Sequence, residues 1–204
     1  DGFAVSAGAQ WLGQLQPGVV RKLGIETPLA ARDVDTVVLA PGEVPVRYGR
    51  GRVSGVGDGD TKRYAEYAKR MRRFSKLLWA WLNRVPPRLG SGAGRDTRRL
   101  LRMALELRLL GREDMREFLR LIGMNVYDDV EECFESRLLK GGLCLDAVLG
   151  THAGPRSPNT FMTSLYRYGG EAAGPALPAG GMSAVSNAIA KPARDAGAEL
   201  VTGA

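Results

Sequence analysis

The sequence predicts an α+β fold dominated by helix. Three observations predict it. Apolar residues recur at helical spacing over most of 60–150, only the runs at 36–40 and 43–48 read as paired strands, and glycine and proline crowd 150–182. The organisation expected is a segment at 1–59 with a β-hairpin and a Gly-rich loop, a helical region at 60–150, and a loop-rich segment at 151–204 that closes with a Gly-Gly-Met turn, a helix and a strand.

The first elements follow from turn chemistry. Gly8, Gly13, Pro17 and Gly18 interrupt the apolar residues between Phe3 and Leu23, which predicts a short helix after a turn and then a break. Thr36-Val37-Val38-Leu39-Ala40 is β-branched, Glu43 to Tyr48 alternates, and Pro41-Gly42 lies between them, so the two runs form a hairpin with Pro45 confining the second strand to an edge. Five glycines at 49, 51, 55, 57 and 59 read as a loop.

A long helix begins at Asp60 or Thr61, either a good N-cap, and ends before Pro86-Pro87. Tyr67, Met71, Phe74, Leu78 and Trp81 recur along it at spacings of four and three, which makes a buried face. Gly90 to Gly94 is a linker, after which Asp96 caps a helix with Leu100, Leu101, Ala104, Leu105 and Leu109 on its apolar side and Gly111 as its stop. Shorter helices are expected at 112–122, 127–135, 137–148 and 159–168. The last helix runs from about Ser183 to Ala196, kinked at Pro192, with a strand from Ala198.

At 204 residues, 44% hydrophobic and 25% charged, the chain can bury one or two cores. Its net charge of +7 suits an anionic partner. Much of that excess is local, since Lys62, Arg63, Lys69, Arg70, Arg72, Arg73 and Lys76 share the long helix and read as a solvated face. Nucleic-acid binding is disfavoured because the aromatic residues of that helix lie on its apolar stripe and not beside the charges.

Cys133 and Cys144 form no CxxC or dense framework and read as reduced core thiols. No continuous apolar run is long enough for a transmembrane helix, so a cytoplasmic location or one peripheral to a membrane is expected. His152, the only histidine, excludes any two-histidine metal site, and no GxSxG elbow lies near it. Asp128, Asp129, Glu131, Glu132 and Glu135 read as a solvated acidic face.

No GxGxxG follows a strand and no GxxxxGK[ST] occurs. Gly180-Gly181-Met182 at the mouth of a helix can still offer backbone N–H groups to an anion or a flavin edge.

Several linked blocks carry a more specific signal. Leu139 to Gly150, then Thr151-His152-Ala153-Gly154-Pro155-Arg156-Ser157-Pro158, then Gly170-Glu171, then Pro178-Ala179-Gly180-Gly181-Met182, then Ala196-Gly197-Ala198-Glu199 occur in this order. The chain thereby resembles the phytoene desaturase-like flavoproteins, an amine oxidase-like class, and within them the branch of the pyridine nucleotide-disulphide oxidoreductase domain-containing protein 2. The likeness is good over 135–204 and faint over 1–130. It departs from the family pattern at Pro192 and in the Gly-rich expansion at 49–59.

The resemblance implies a FAD-dependent oxidoreductase acting as desaturase, dehydrogenase or isomerase on an apolar, carotenoid- or lipid-like substrate. It implies a discontinuous Rossmann-like FAD domain interrupted by a substrate cap, formed here by 60–135. Gly180, Gly181 and Met182 are expected nearest the FAD, followed by Pro155 and Arg156; no catalytic side chain and no metal ligand is named. The dinucleotide fingerprint of the family falls before Asp1, so the chain reads as an internal fragment that binds FAD weakly or not at all. The alternative from the residues alone is a non-catalytic helical module whose basic helix meets an acidic protein or a membrane surface.

Overall fold

The structure is a computed structural model that describes residues 8–9, 11–13, 15–32, 34–49, 51–90, 92–170 and 175–201. It is a helix-rich α+β fold with small antiparallel sheets, and the chain divides into two compact units. One unit comprises 1–35 together with 173–204, and the other is the continuous stretch 36–172.

The first unit holds helix α1 (Pro17–Leu23), strands β1 (Leu29–Arg32) and β5 (Ala176–Pro178), and helix α8 (Gly181–Asp195). β1 and β5 pair antiparallel with an irregularity between Leu29 and Ala31, and Leu12 exchanges backbone hydrogen bonds with Ala176 at 2.7 and 3.0 Å. Its buried hydrophobic residues among those described are Ile25, Ala176 and Val185, a small core for its length. α1 starts with Pro17, whose missing N–H costs nothing in a first turn, and stops at Gly24 in the left-handed conformation.

The strand expected from Ala198 is not formed over 198–201, and 202–204 lie outside the described residues. A strand exists only against a neighbour that takes up its backbone hydrogen bonds, and no neighbour is described there. α8 continues through Pro192 to Asp195. The N–H that proline lacks is lost close to the helix end, where few turns depend on it.

The second unit starts with a three-stranded antiparallel sheet in the order β2 (Thr36–Val38), β3 (Val46–Gly49), β4 (Arg52–Ser54). β2 and β3 form the expected hairpin. β3 is the central strand and not an edge, because Pro45 lies one residue before the ladder and interrupts none of it. Part of the Gly-rich stretch is ordered as well. Gly49 pairs with Arg52 across a two-residue turn, with Gly51 at φ +79° supplying the left-handed conformation that such a turn requires.

Helix α2 spans Asp58–Leu82, beginning two residues before the expected cap, with Gly57 at the N-cap. There follow α3 (Gly94–Arg108), α4 (Arg112–Ile122), α5 (Val126–Cys133), α6 (Arg137–Val148) and α7 (Thr160–Gly170). Asn125 and Ser136 cap α5 and α6, their side-chain oxygens accepting from the backbone N–H groups of Asp128 and Leu139. Ala93, not Asp96, occupies the N-cap of α3, and Asp96 lies buried in the first turn with Arg99 on its carboxylate at 3.0 Å.

α2 is the axis of the core. Tyr64, Tyr67, Met71, Phe74 and Leu78 are buried along it, and Trp81 is half-buried, as the spacing predicts. Tyr48, Tyr64, Tyr67 and Phe134 form a continuous aromatic chain, and Phe118 meets both Phe74 and Trp81 edge-on. α3 reverses the expectation. Leu101, Leu105 and Leu109 are exposed, because the helix turns Glu106 and Leu107 toward the core, with Leu110 just beyond its end packed there as well.

Candidate functional site

The Gly-Gly turn links β5 to α8. Gly180 is left-handed at φ +80° and ψ +13°, and Gly181 follows at φ +70°. Two successive positive φ values suit residues without a Cβ, so the backbone at the mouth of a 15-residue helix carries no side chain for two positions. The first amides of a helix lack intrahelical acceptors, and the macrodipole adds partial positive charge at that end. Met182 is half-buried behind the turn.

Such a turn lets an anion approach the backbone closely, and the sequence holds no GxGxxG that would add a dinucleotide cradle.

Pro155 and Arg156 belong to the second unit. The loop carrying them is tied down by its own bonds: the Pro155 carbonyl accepts from the Tyr127 N–H at 3.1 Å and from the Thr160 hydroxyl at 3.2 Å. Thr160 in turn accepts from the Val126 N–H at 3.0 Å. The guanidinium of Arg156 lies 4.0 Å from the centre of the Tyr127 ring, a cation–π contact made by an exposed residue. His152 is exposed in the same loop.

Lys62, Lys69, Arg72 and Lys76 are exposed, as are Asp128, Glu131, Glu132 and Glu135, so both faces are largely solvated as expected; Arg63, Arg70 and Arg73 depart from that by pairing with carboxylates, and Asp129 by being buried. Arg70 of α2 grips Asp129 of α5 through both carboxylate oxygens, at 2.7 and 2.9 Å, and reaches Glu117 of α4 at 3.1 Å. Arg73 pairs with Asp114, and Arg63 bridges Asp60 and Glu135. Asp129 is fully buried, and burial pushes its carboxyl above the usual range in spite of Arg70. These pairs border an open groove of roughly 500 Å³ that also holds Lys69 and Cys133. Its lining is mostly charged, which does not suit an apolar substrate.

Asp60 acts as a clamp. Its carboxylate accepts from the backbone N–H groups of Glu135 and Ser136 at 3.0 and 2.7 Å and from Arg63 at 2.8 Å. Burial works to raise its pKa, but these donors outweigh that and hold it below the ordinary carboxylate range. Tyr48 donates to Asp146 at 2.9 Å, and burial raises both groups. The only signal for Asp146 in the sequence is a lone carboxylate within the apolar run Leu143 to Val148. Burial also pushes the Cys144 thiol up to about 11, and both cysteines are free. No cluster of His, Cys, Asp and Glu among the described residues is arranged to hold a metal.

Comparison with protein-family models, with characterised proteins and with solved structures gives no match.

Proposed function

We propose that these residues form part of an FAD-dependent oxidoreductase of the phytoene desaturase-like class, acting on an apolar substrate. The observation that carries this reading is the way the chain is divided. The unit containing the Gly-Gly turn is drawn from 1–35 and 173–204, and a helical unit of 36–172 is inserted within it. A discontinuous FAD domain interrupted by a substrate cap has this connectivity, and the ordered blocks from Leu139 to Glu199 point to the same class.

In this reading the backbone N–H groups at the start of α8 hold an electronegative edge of the cofactor, and Met182 packs beside it. FAD, when bound, supplies hydride acceptance, and the protein supplies position and a dry surrounding. No side chain of this chain is assigned as acid or base.

Purification of the native protein that contains these residues, followed by heat release, tests the reading. FAD in the supernatant is the expected result. A flavin-free preparation that takes up none when FAD is added overturns it.

A further inference from the structure

We propose that the outer face of α3 is a docking surface for an anionic lipid bilayer, with the helix lying in the headgroup plane. The inference is independent of the flavin reading. It starts from three leucines placed where water meets them: Leu101, Leu105 and Leu109 are 64%, 57% and 74% exposed, and their spacing of four sets them along one line of the helix. A leucine row at this exposure is the reverse of what a helix packed on a core presents, and contiguous exposed apolar surface marks an interaction site.

The charges around the row decide the occupant. Arg95, Arg98 and Arg108 are exposed on this helix and have no carboxylate partner among the described residues. The two acidic residues of α3 are turned the other way. Asp96 is buried against Arg99, and Glu106 is half-buried, accepting from the Trp81 Nε1–H of α2 at 2.9 Å, from Arg84 just beyond the end of α2 at 2.8 Å and from Arg102 of its own helix at 3.0 Å, so its charge is neutralised. The outer face is therefore leucine and arginine without a carboxylate, the composition of a helix that buries an apolar stripe at the acyl boundary while its cations reach the phosphates.

At 1.5 Å per residue, the 15 residues of α3 extend roughly 22 Å, suited to lying on a bilayer. No helix among the described residues is long and apolar enough to cross one. A second copy docked through the same face about a two-fold axis would bring arginine against arginine. The basic run of α2 is a poorer candidate: Lys62, Lys69, Arg72 and Lys76 are exposed, but Arg63, Arg70 and Arg73 are paired with carboxylates and the apolar stripe of that helix, Tyr67 to Leu78, is buried in the core and leaves no apolar row to insert.

Flotation of the 204-residue chain with phosphatidylcholine vesicles, with and without phosphatidylserine, tests the proposal. Binding is expected only with phosphatidylserine. Arg95→Gln/Arg98→Gln/Arg108→Gln weakens it by at least about tenfold, whereas Lys62→Gln/Lys69→Gln/Lys76→Gln, the same charge change on α2, alters it by less than about threefold. Leu101→Ser/Leu105→Ser, confirmed folded by circular dichroism, also loses binding. In the Leu105→Trp variant, lipids brominated in the acyl chain quench more fluorescence than in the unsubstituted chain. The proposal is overturned by absence of binding to both vesicles, by equal loss in the α2 variant, by unchanged binding of the serine variant, or by lipid-free dimerisation that the leucine substitutions abolish.

Discussion

Arg70 and Asp129, 59 residues apart in the chain, form a two-pronged pair in which one guanidinium nitrogen lies within 2.9 Å of both carboxylate oxygens and the carboxylate is fully buried. The pair joins α2 to α5 at the centre of the helical unit. Removing one partner strands the other charge away from water. Asp129→Ala is therefore expected to destabilise the fold by about 3–5 kcal/mol, whereas Arg70→Met combined with Asp129→Leu costs far less than the sum of the single changes. Urea denaturation of the three variants measures this; additive losses would show that the pair is not coupled.

Asp60 predicts a pH dependence. Its folded pKa lies below the unfolded value, so the stability it contributes is fully present above the unfolded carboxylate range and is lost as pH falls through the folded value. Asp60→Asn is expected to cost about 1–3 kcal/mol at neutral pH. The gap in melting temperature between variant and parent should narrow as pH falls below about 4, where the unfolded carboxyl takes up a proton that the folded clamp still resists.

Two adjacent glycines of α6 should behave in opposite ways. A Cβ added to Gly142 would sit 2.7 Å from Val38 Cγ2 and 2.9 Å from Tyr48 Cε1, whereas one added to Gly141 meets nothing within 4 Å. Gly142→Ala is expected to destabilise by about 1–3 kcal/mol through overpacking. Gly141→Ala should stabilise by about 0.5–1 kcal/mol, because alanine loses less backbone entropy in a helix. Thermal unfolding of the pair checks both signs.

Much of the helical unit was legible in the sequence, because its elements are fixed by local signals. The stripe from Tyr67 to Leu78 sets which face of α2 is buried, and the expected helices at 112–122 and 137–148 form at those bounds; the caps Asn125 and Ser136, whose bonds span three residues, emerge from the structure. What was not legible depends on partners distant in the chain. β1 and β5 exist only through each other, across more than 140 residues. Asp129 looked like one carboxylate among five until Arg70 arrived from another helix.

The leucines of α3 were misplaced for a related reason. Periodicity finds an apolar face, but what docks on it is decided by neighbouring elements, and α2 receives the opposite side. For the candidate site, the glycine pair was legible from its position before a helix, and the structure adds its positive φ values. The cation–π seat of Arg156 on Tyr127, 29 residues away, left no sequence signal.

The glycine pair also predicts a loss confined to the cofactor. Gly180→Val or Gly181→Val forces a β-branched residue into positive φ, at a local cost of about 1–3 kcal/mol. Flavin content of the native protein carrying either change is expected to fall well before the helical unit loses its fold. Flavin absorbance together with circular dichroism separates the two effects.

Hydrogen exchange of the native protein with and without FAD tests the central claim most directly. The backbone amides of Met182, Ser183 and Ala184 at the start of α8 are expected to gain protection when FAD binds. Exchange at these amides that FAD leaves unchanged, in a protein that demonstrably holds the flavin, would contradict the assignment of the Gly180-Gly181 turn as its contact.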